Sequence, residues 1–331
     1  MLSVRLLGTG RSLRGKGRET TELARLAMPG RNPEELARRI GISNRYWVKP
    51  GTTAVSLATS ALRKALKMAG REARELRRII FVSSTGGDTL SPANAHAVSA
   101  ELGLDDTCDG FDMSNACTGF LSAMDVAARS VATGLEPVAV VAAETFSRHL
   151  SLDVPRSYLV MADAAGAVVL GKGGKDEGIL ASDLRSSADV RDKVTVTHPS
   201  FTGKPSTIEF DAPADEITRS AIARMSEASL KVAKEAGVSI RDVEWFLPHQ
   251  PNGFIFDAVV KRLEIDPKRT LRVVDRIGSV GAASIPFSLD RLVRSQKNPL
   301  LSPGARLLLT AVGAGTGYGA MLYQVSPEVV P

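Results

Sequence analysis

An α/β fold built from two similar halves is what this 331-residue chain predicts. Two observations carry that expectation. A segment recurs about half a chain later, and helix-periodic runs alternate with short β-rich runs. The recurring segment is Lys67 to Ile80, KMAGREARELRRII, answered by Lys234 to Leu247, KEAGVSIRDVEWFL. Lys67/Lys234, Ala69/Ala236, Gly70/Gly237 and Arg74/Arg241 are identical, and Glu75/Asp242 and Leu76/Val243 are conservative pairs.

Both copies share one local logic. Thr53 to Ala69 and Glu216 to Ala236 place apolar residues at helical spacing. Gly70 and Gly237 follow as helix C-caps. Ile79-Ile80-Phe81-Val82 and Trp245-Phe246-Leu247 then read as buried central strands. Ala93 to Leu102 and Thr118 to Ala132 read as further helices, and Val138 to Ala142, Ala167 to Leu170 and Leu307 to Val312 as further strands. The glycine- and charge-rich stretch from Gly171 to Gly178 marks a boundary, giving halves of residues 1–172 and 173–331. The basic stretch from Arg11 to Arg31 reads as a surface excursion.

Composition narrows the class. Hydrophobic residues are 44% and charged residues 24%, which suits a globular protein with a sizeable core. No apolar run is long enough to span a bilayer and the N-terminus lacks a signal-peptide pattern, so a cytoplasmic protein is expected. Cys108 and Cys117 lie on one short segment, which argues against a disulfide framework, and no metal-ligand spacing occurs, so no metal site is assigned. The net charge of +6 fits a solvated basic surface or the docking of an acidic partner such as coenzyme A phosphates or an acidic carrier protein. Nucleic acid is disfavoured, because the basic residues are scattered, aromatics are 5% and no recognition motif appears.

Three segments carry candidate chemistry. Cys117, in Asp112 to Phe120, DMSNACTGF, precedes a helix-periodic run. Unpaired N–H groups and the helix dipole at such a position favour a thiolate, the form that attacks a thioester carbonyl. The same residue also fits a buried core cysteine. His249, in PHQPN, follows the second-copy strand, where α/β sheets place chemistry, and suits a general base or a donor to a thioester oxygen. A satisfied loop histidine is its plain alternative. Gly313 to Gly319, GAGTGYG, follows another strand, and the backbone N–H groups of Ala314 and Gly315, with that of Cys117, suit an oxyanion hole.

Taken together these segments resemble the thiolase-fold condensing enzymes, specifically ketoacyl-acyl-carrier-protein synthase III (KAS III). The resemblance runs from LLGTG (Leu6 to Gly10) through GISNR (Gly41 to Arg45), DMSNACTGF, ADAAGAVVLG (Ala162 to Gly171), HQPN and GSVGAASIP (Gly278 to Pro286) to GAGTGYGA. It implies a five-layered αβαβα thiolase fold and a homodimer. It implies Cys117 as the acylated nucleophile and His249 as its partner, with no permanent cofactor. The implied donor is acyl-coenzyme A or an acyl-phosphopantetheine carrier protein, and Arg39, Asn252, Lys261 and Arg262 are expected to bind it.

The chain also departs from the family pattern. Decarboxylating members carry asparagine in G-N-x-x-A-A-S-x-P, and that place is Ser279 here. Losing one oxyanion donor costs roughly 2.7–4 kcal/mol of barrier, so decarboxylative condensation is disfavoured. The tryptophan that often stacks on coenzyme A corresponds to Glu35, and a carrier-docking arginine to Phe254. The loop Gly86 to Ser91 corresponds to the segment that caps the partner's acyl pocket. Leu90 and Ser91 there, with Phe254, are expected at the substrate pocket, and the small residues of the loop suggest a roomy one.

The leading expectation is an acyltransferase of specialised metabolism, with His249 deprotonating a hydroxyl or amine acceptor and Ser279 orienting it. A condensing enzyme of fatty-acid or polyketide type, forming a carbon–carbon bond despite Ser279, is the alternative. A non-catalytic partner subunit is the third reading, opposed by the retention of both Cys117 and His249.

Overall fold

The computed structural model describes residues 1–188, 192–295 and 301–326. Strand β1 (Val4–Ser12), β2 (Arg78–Val82), β3 (Asp109–Met113), β4 (Val138–Thr145) and β5 (Asp163–Lys172) form one sheet in the order β1-β5-β4-β2-β3. Strands β6 (Gly178–Ser186), β7 (Trp245–Pro248), β8 (Arg306–Val312) and β9 (Gly317–Gln324) form a second in the order β7-β8-β9-β6. The directions match between the two. β2–β4 and β7–β8 are parallel, whereas β4–β5, β1–β5, β8–β9 and β9–β6 are antiparallel. β3, parallel to β2 at the edge of the first sheet, is the strand with no counterpart among the described residues. The first sheet draws on segments up to Lys172 and the second on segments from Gly178.

The repeat is visible in the helices too. Helix α1 (Ala54–Ala69) precedes β2 as α4 (Ala214–Glu235) precedes β7. Thr53 caps α1 by accepting from Ser56 N at 2.9 Å. Gly70 and Gly237 both take the left-handed backbone after their helices, with φ of 61° and 65°. Helices α3 (Gly119–Ala132) and α6 (Ser284–Ser295) are the corresponding pair that follow. Helix α2 (Asn94–Leu102) stands between β2 and β3, and α5 (Gly253–Arg262) follows β7.

Five layers result from the alternation of side chains along the strands. Ile79 and Phe81 face outward into a core with Leu57, Leu62 and Leu66 of α1. Ile80 and Val82 face inward, where Phe120, Met124 and Val131 of α3 and Phe287, Leu289 and Leu292 of α6 fill the space between the two sheets. Leu307 and Leu309 close that central core from the other side. Phe246, Leu308 and Leu322 point outward against Met225 and Val232 of α4 and Val259 of α5. No helix among the described residues is long and apolar enough to cross a membrane.

The stretch from Arg11 to Arg31 departs from its expectation as a surface excursion. Its first residues finish β1, Lys16–Glu19 pairs antiparallel with Asn44–Trp47, and a helix covers Thr20–Ala27. Thr20, Leu23 and Ala24 are buried, and Thr20 Oγ1 donates to Ile42 O at 2.6 Å. The basic residues lie on the outer side of a packed element, which composition alone does not separate from a loop.

Candidate active site

Cys117 sits in a single 3-10 turn, Ala116–Thr118, that runs straight into α3. Ala116 adopts φ of 44°, a left-handed backbone that non-glycine residues seldom take, so the chain turns sharply just before the cysteine. Thr118 N and Oγ1 both donate to Asn115 O, at 3.2 and 2.7 Å, and hold the turn. Across from it lies the loop Gly313 to Gly317. A Cβ built on Gly313 would stand 2.9 Å from Cys117 N, and one on Gly317 2.7 Å from Thr118 Oγ1. Glycine is required there for close approach, since Gly313 (φ −137°) and Gly317 (φ −83°) have ordinary backbones.

His249 follows β7, with its N–H donating to Thr310 O at 2.7 Å. The next residue fixes the loop. Gln250 Oε1 accepts from Val273 N and Val274 N at 2.9 and 3.0 Å, and Nε2 donates to Leu271 O at 2.8 Å. His249 is almost wholly buried, and its Nδ1 has no hydrogen-bond partner among the described residues. Burial lowers its pKa to about 3, so the ring is neutral. Ser279 is held by its backbone, which donates to Val160 O at 2.9 Å and accepts from Ala162 N at 2.8 Å.

One pocket brings these together. Cys117, His249, Ser279, Ala314 and Asn252 all line it. The remaining wall is mainly apolar, from Val160, Met161, Ile217 and Val312, with Arg156 and Lys193 as its charged members. Arg156 stacks over Phe210 at 4.4 Å and donates to Ala212 O at 3.2 Å. The wall from Lys193 to Ala221 was not read from the sequence, because it comes from a short hairpin (Val194–Val196 with Ile208–Phe210) and the polar start of α4.

Several expected residues lie elsewhere. Gly315 is exposed and outside the pocket lining, with φ of 116° at the tip of its loop. Leu90 and Phe254 are 76% and 56% exposed, and Ser91 is exposed as well; none of them lines the pocket of Cys117 in this chain. Arg39 is exposed near the end of the short helix Pro33–Ile40. Lys261 and Arg262 are exposed in the last turn of α5, Lys261 beside a separate groove with Asp257 and Arg272. Asn252 lines the pocket, but its side chain caps α5 by accepting from Ile255 N at 2.8 Å.

The expectation of a helix-stabilised thiolate is corrected. Part of Cys117 reaches the pocket, yet protein packs so closely around it that burial pushes the thiol up to about 12. The Glu144 carboxylate adds to that rise. Burial thus works against the anion that the start of a helix favours.

Glu144 is the site residue that the sequence reading missed. It lies two residues beyond the predicted strand end at Ala142, because β4 continues to Thr145. Its carboxylate is fully buried and accepts from Ser84 Oγ at 2.6 Å, Ser84 N at 3.0 Å, Ala282 N at 3.1 Å and Ser83 Oγ at 3.3 Å. Burial raises its pKa to about 7, against those hydrogen bonds. An acidic residue ending an otherwise apolar run, VVAAE, was the available signal.

Comparison with known proteins places this geometry. Residues 111–188 match the family model described as 3-oxoacyl-[acyl-carrier-protein (ACP)] synthase III, and residues 233–325 match the model of its C-terminal part. The chain is 35% identical over 321 residues to a β-ketoacyl-[acyl-carrier-protein] synthase III of Rhizorhabdus wittichii, covering 95% of this chain and 97% of that one. Among solved structures, the 3-oxoacyl-[acyl-carrier-protein] synthase III of Aquifex aeolicus superposes with a TM-score of 0.88 at 27% identity, covering 97% and 99% of the two chains. The priming β-ketosynthase of the R1128 polyketide biosynthetic pathway gives 0.89 at 27% identity, covering 98% and 96%.

Proposed function

The chain belongs to the 3-oxoacyl-[acyl-carrier-protein] synthase III family of acyl-transferring enzymes, and from that premise we propose that it loads an acyl group onto Cys117 as a thioester and passes it to a hydroxyl or amine acceptor. The observation that carries this reading is Ser279 on the wall shared by Cys117 and His249. Decarboxylation of a malonyl thioester leaves an enolate oxygen that needs two well-placed donors. Where the family motif has an amide, Ser279 offers a shorter side chain and one hydroxyl.

Transfer to an oxygen or nitrogen needs no such carbanion. It needs a nucleophile whose proton is removed as the new bond forms and donors for a tetrahedral oxyanion. The neutral ring of His249 supplies a lone pair to the acceptor O–H or N–H. Its low proton affinity fits a proton that moves late, once the attacking atom has gained acidity by bonding to the acyl carbon. The mainly apolar wall excludes water, which limits hydrolysis of the thioester. A homodimer in the cytoplasm, using coenzyme A or acyl-carrier-protein thioesters as donors, belongs to the same proposal.

Carbon–carbon bond formation is the second reading, favoured by the activity named for the relatives. A pulse–chase experiment separates the two. Protein loaded from acyl-coenzyme A thioesters of increasing length is chased with alcohols, amines and β-keto thioesters. Product mass, with lability to mild alkaline hydroxylamine for oxygen esters, reports the bond formed. Acyl transfer that survives Cys117→Ala overturns the proposal.

A further inference from the structure

The pocket of Cys117 carries charge of one sign only. Arg156 and Lys193 line it, and no aspartate or glutamate does among the described residues. Two cations on a mainly apolar wall, with no counter-ion, favour an anion from outside the chain. Acyl transfer as described so far uses Cys117, His249 and Ser279 and gives neither cation a task.

Both are anchored by the chain around them. Arg156 lies in the short helix Pro155–Tyr158, half-buried, with its guanidinium over the Phe210 ring at 4.4 Å and one N–H donated to Ala212 O at 3.2 Å. Its remaining donors have no acidic partner among the described residues. Lys193 is half-buried too, and its backbone oxygen accepts from Asp211 N at 2.8 Å. Its ammonium makes no hydrogen bond or ion pair among the described residues, and the neighbouring Asp192 is exposed and outside the pocket lining. Each cation is tied to a different side of the reacting centre. Val160, four residues on from Arg156, accepts from Ser279 N at 2.9 Å, and Met161 bridges to Ser279. The strand Val194–Val196, which Lys193 leads into, runs alongside Ala314–Thr316, and Gly313 just before that turn presses on Cys117 N.

Resting on the reading of acyl transfer to a hydroxyl or amine, we propose that Lys193 and Arg156 form a carboxylate receptor, and that the acceptor is a hydroxy acid or amino acid held by its carboxylate. In the transfer step the acceptor oxygen or nitrogen bonds to the acyl carbon, the bond from that carbon to Cys117 Sγ breaks, and the acceptor's proton passes through His249 to the sulfur. The carboxylate takes no part in bond making. It decides which end of the acceptor stays at the cations and which reaches Cys117. The flat fork of the guanidinium suits two carboxylate oxygens, and the ammonium on its flexible stem adds a third, charge-assisted bond.

The phosphates of a coenzyme A donor are the other anions with a claim on these cations. They lie at the far end of a long pantetheine arm from the thioester. Arg156 stands one helical turn from the residue that bonds Ser279 N, which favours a group on the smaller second substrate.

The probes are hexanoate and hexanamide, matched in length and differing in charge, each titrated into the full-length protein and followed by ligand-detected NMR. The proposal expects hexanoate to bind about 10-fold more tightly than hexanamide. Lys193→Gln and Arg156→Gln each cut that preference by about 5-fold, and Lys193→Arg, which keeps the charge, retains it. Adenosine 3′,5′-bisphosphate, which carries nucleotide phosphates like those of coenzyme A, leaves hexanoate bound. Equal binding of the two probes by the wild type overturns the receptor, as does a hexanoate preference that Lys193→Gln leaves intact. Displacement of hexanoate by the bisphosphate also overturns it and assigns the cations to the donor. Where Arg156→Gln loosens the hairpin by losing its contact with Phe210, Lys193→Gln alone decides. Intact mass of the wild type after exposure to butyryl-coenzyme A is read beside the titrations. A Cys117 that never loads sinks the acyl-transfer reading and the acceptor role with it, whereas a Cys117 that loads while hexanoate shows no preference sinks the receptor alone.

Discussion

Gly313 lies against the backbone of Cys117 so closely that a single methyl at its Cβ position would stand 2.9 Å from the Cys117 nitrogen and 3.2 Å from Ala116 Cβ. The second-half loop thereby sets the position of the first-half nucleophile. Gly313→Ala is expected to push the turn at Ala116–Thr118 aside. The cost to stability is about 1–3 kcal/mol, and Cys117 acylation slows by about 10²-fold from misplacement alone. Intact-mass kinetics of acyl loading, beside a thermal melt, check both. A folded Gly313→Ala that loads at the wild-type rate would show that the contact does not matter to the nucleophile.

His249 is expected to act after loading. In His249→Ala the acyl-Cys117 form accumulates, while transfer to the acceptor falls by about 10²–10⁴-fold. Single-turnover mass spectrometry separates the two steps. Loss of loading with transfer intact would reverse the assignment.

Ser279 is expected to govern the type of bond made. Its backbone is pinned on both sides by Val160 and Ala162, so a larger side chain there projects from a fixed point toward the pocket. Ser279→Asn restores the amide of the family motif and is expected to raise carbon dioxide release from malonyl thioesters by about 10²-fold or more. Transfer to hydroxyl or amine acceptors falls in the same variant. No gain in release would remove Ser279 as the determinant.

Two buried groups pull stability in opposite directions with pH. Glu144 has a folded pKa of about 7, above its ordinary 4.5, so it favours the fold below pH 4.5 and loses that contribution as pH rises through 7. His249 has a folded pKa of about 3, below its ordinary 6.5, so it favours the fold above pH 6.5 and loses that contribution as pH falls toward 3. Glu144→Gln leaves only the second effect. The variant is expected to gain up to about 3 kcal/mol relative to wild type between pH 4.5 and 8. Denaturant unfolding at the two pH values measures it. A constant difference across that range would contradict the burial argument for Glu144.

Much of this was legible in the sequence because the duplication repeats its punctuation. Gly70 and Gly237 end their helices alike, and the apolar strands that follow occupy matching places in the two sheets. The segment around His249 was legible as a loop that follows a buried strand, and that around Cys117 as the lead-in to a helix-periodic run. What stayed hidden depended on three-dimensional surroundings. The rise in the Cys117 pKa comes from packing that a helix-start argument does not see. Glu144 looked like the polar end of a strand until Ser84 and Ala282 were found around it. The wall at Lys193, Phe210 and Ile217 belongs to short, polar segments with no strong periodicity. Leu90 and Ser91 are exposed on this chain, and their expected role concerns a partner subunit's pocket.

The central claim is that acyl-Cys117 is handed to an oxygen or nitrogen acceptor and not to a malonyl carbanion. Carbon dioxide release from carboxyl-labelled malonyl thioesters tests it most directly, on protein first acylated at Cys117 and verified by intact mass. The account predicts release no greater than that of Cys117→Ala. Release that depends on the loaded acyl group would contradict it and make the protein a condensing enzyme despite Ser279.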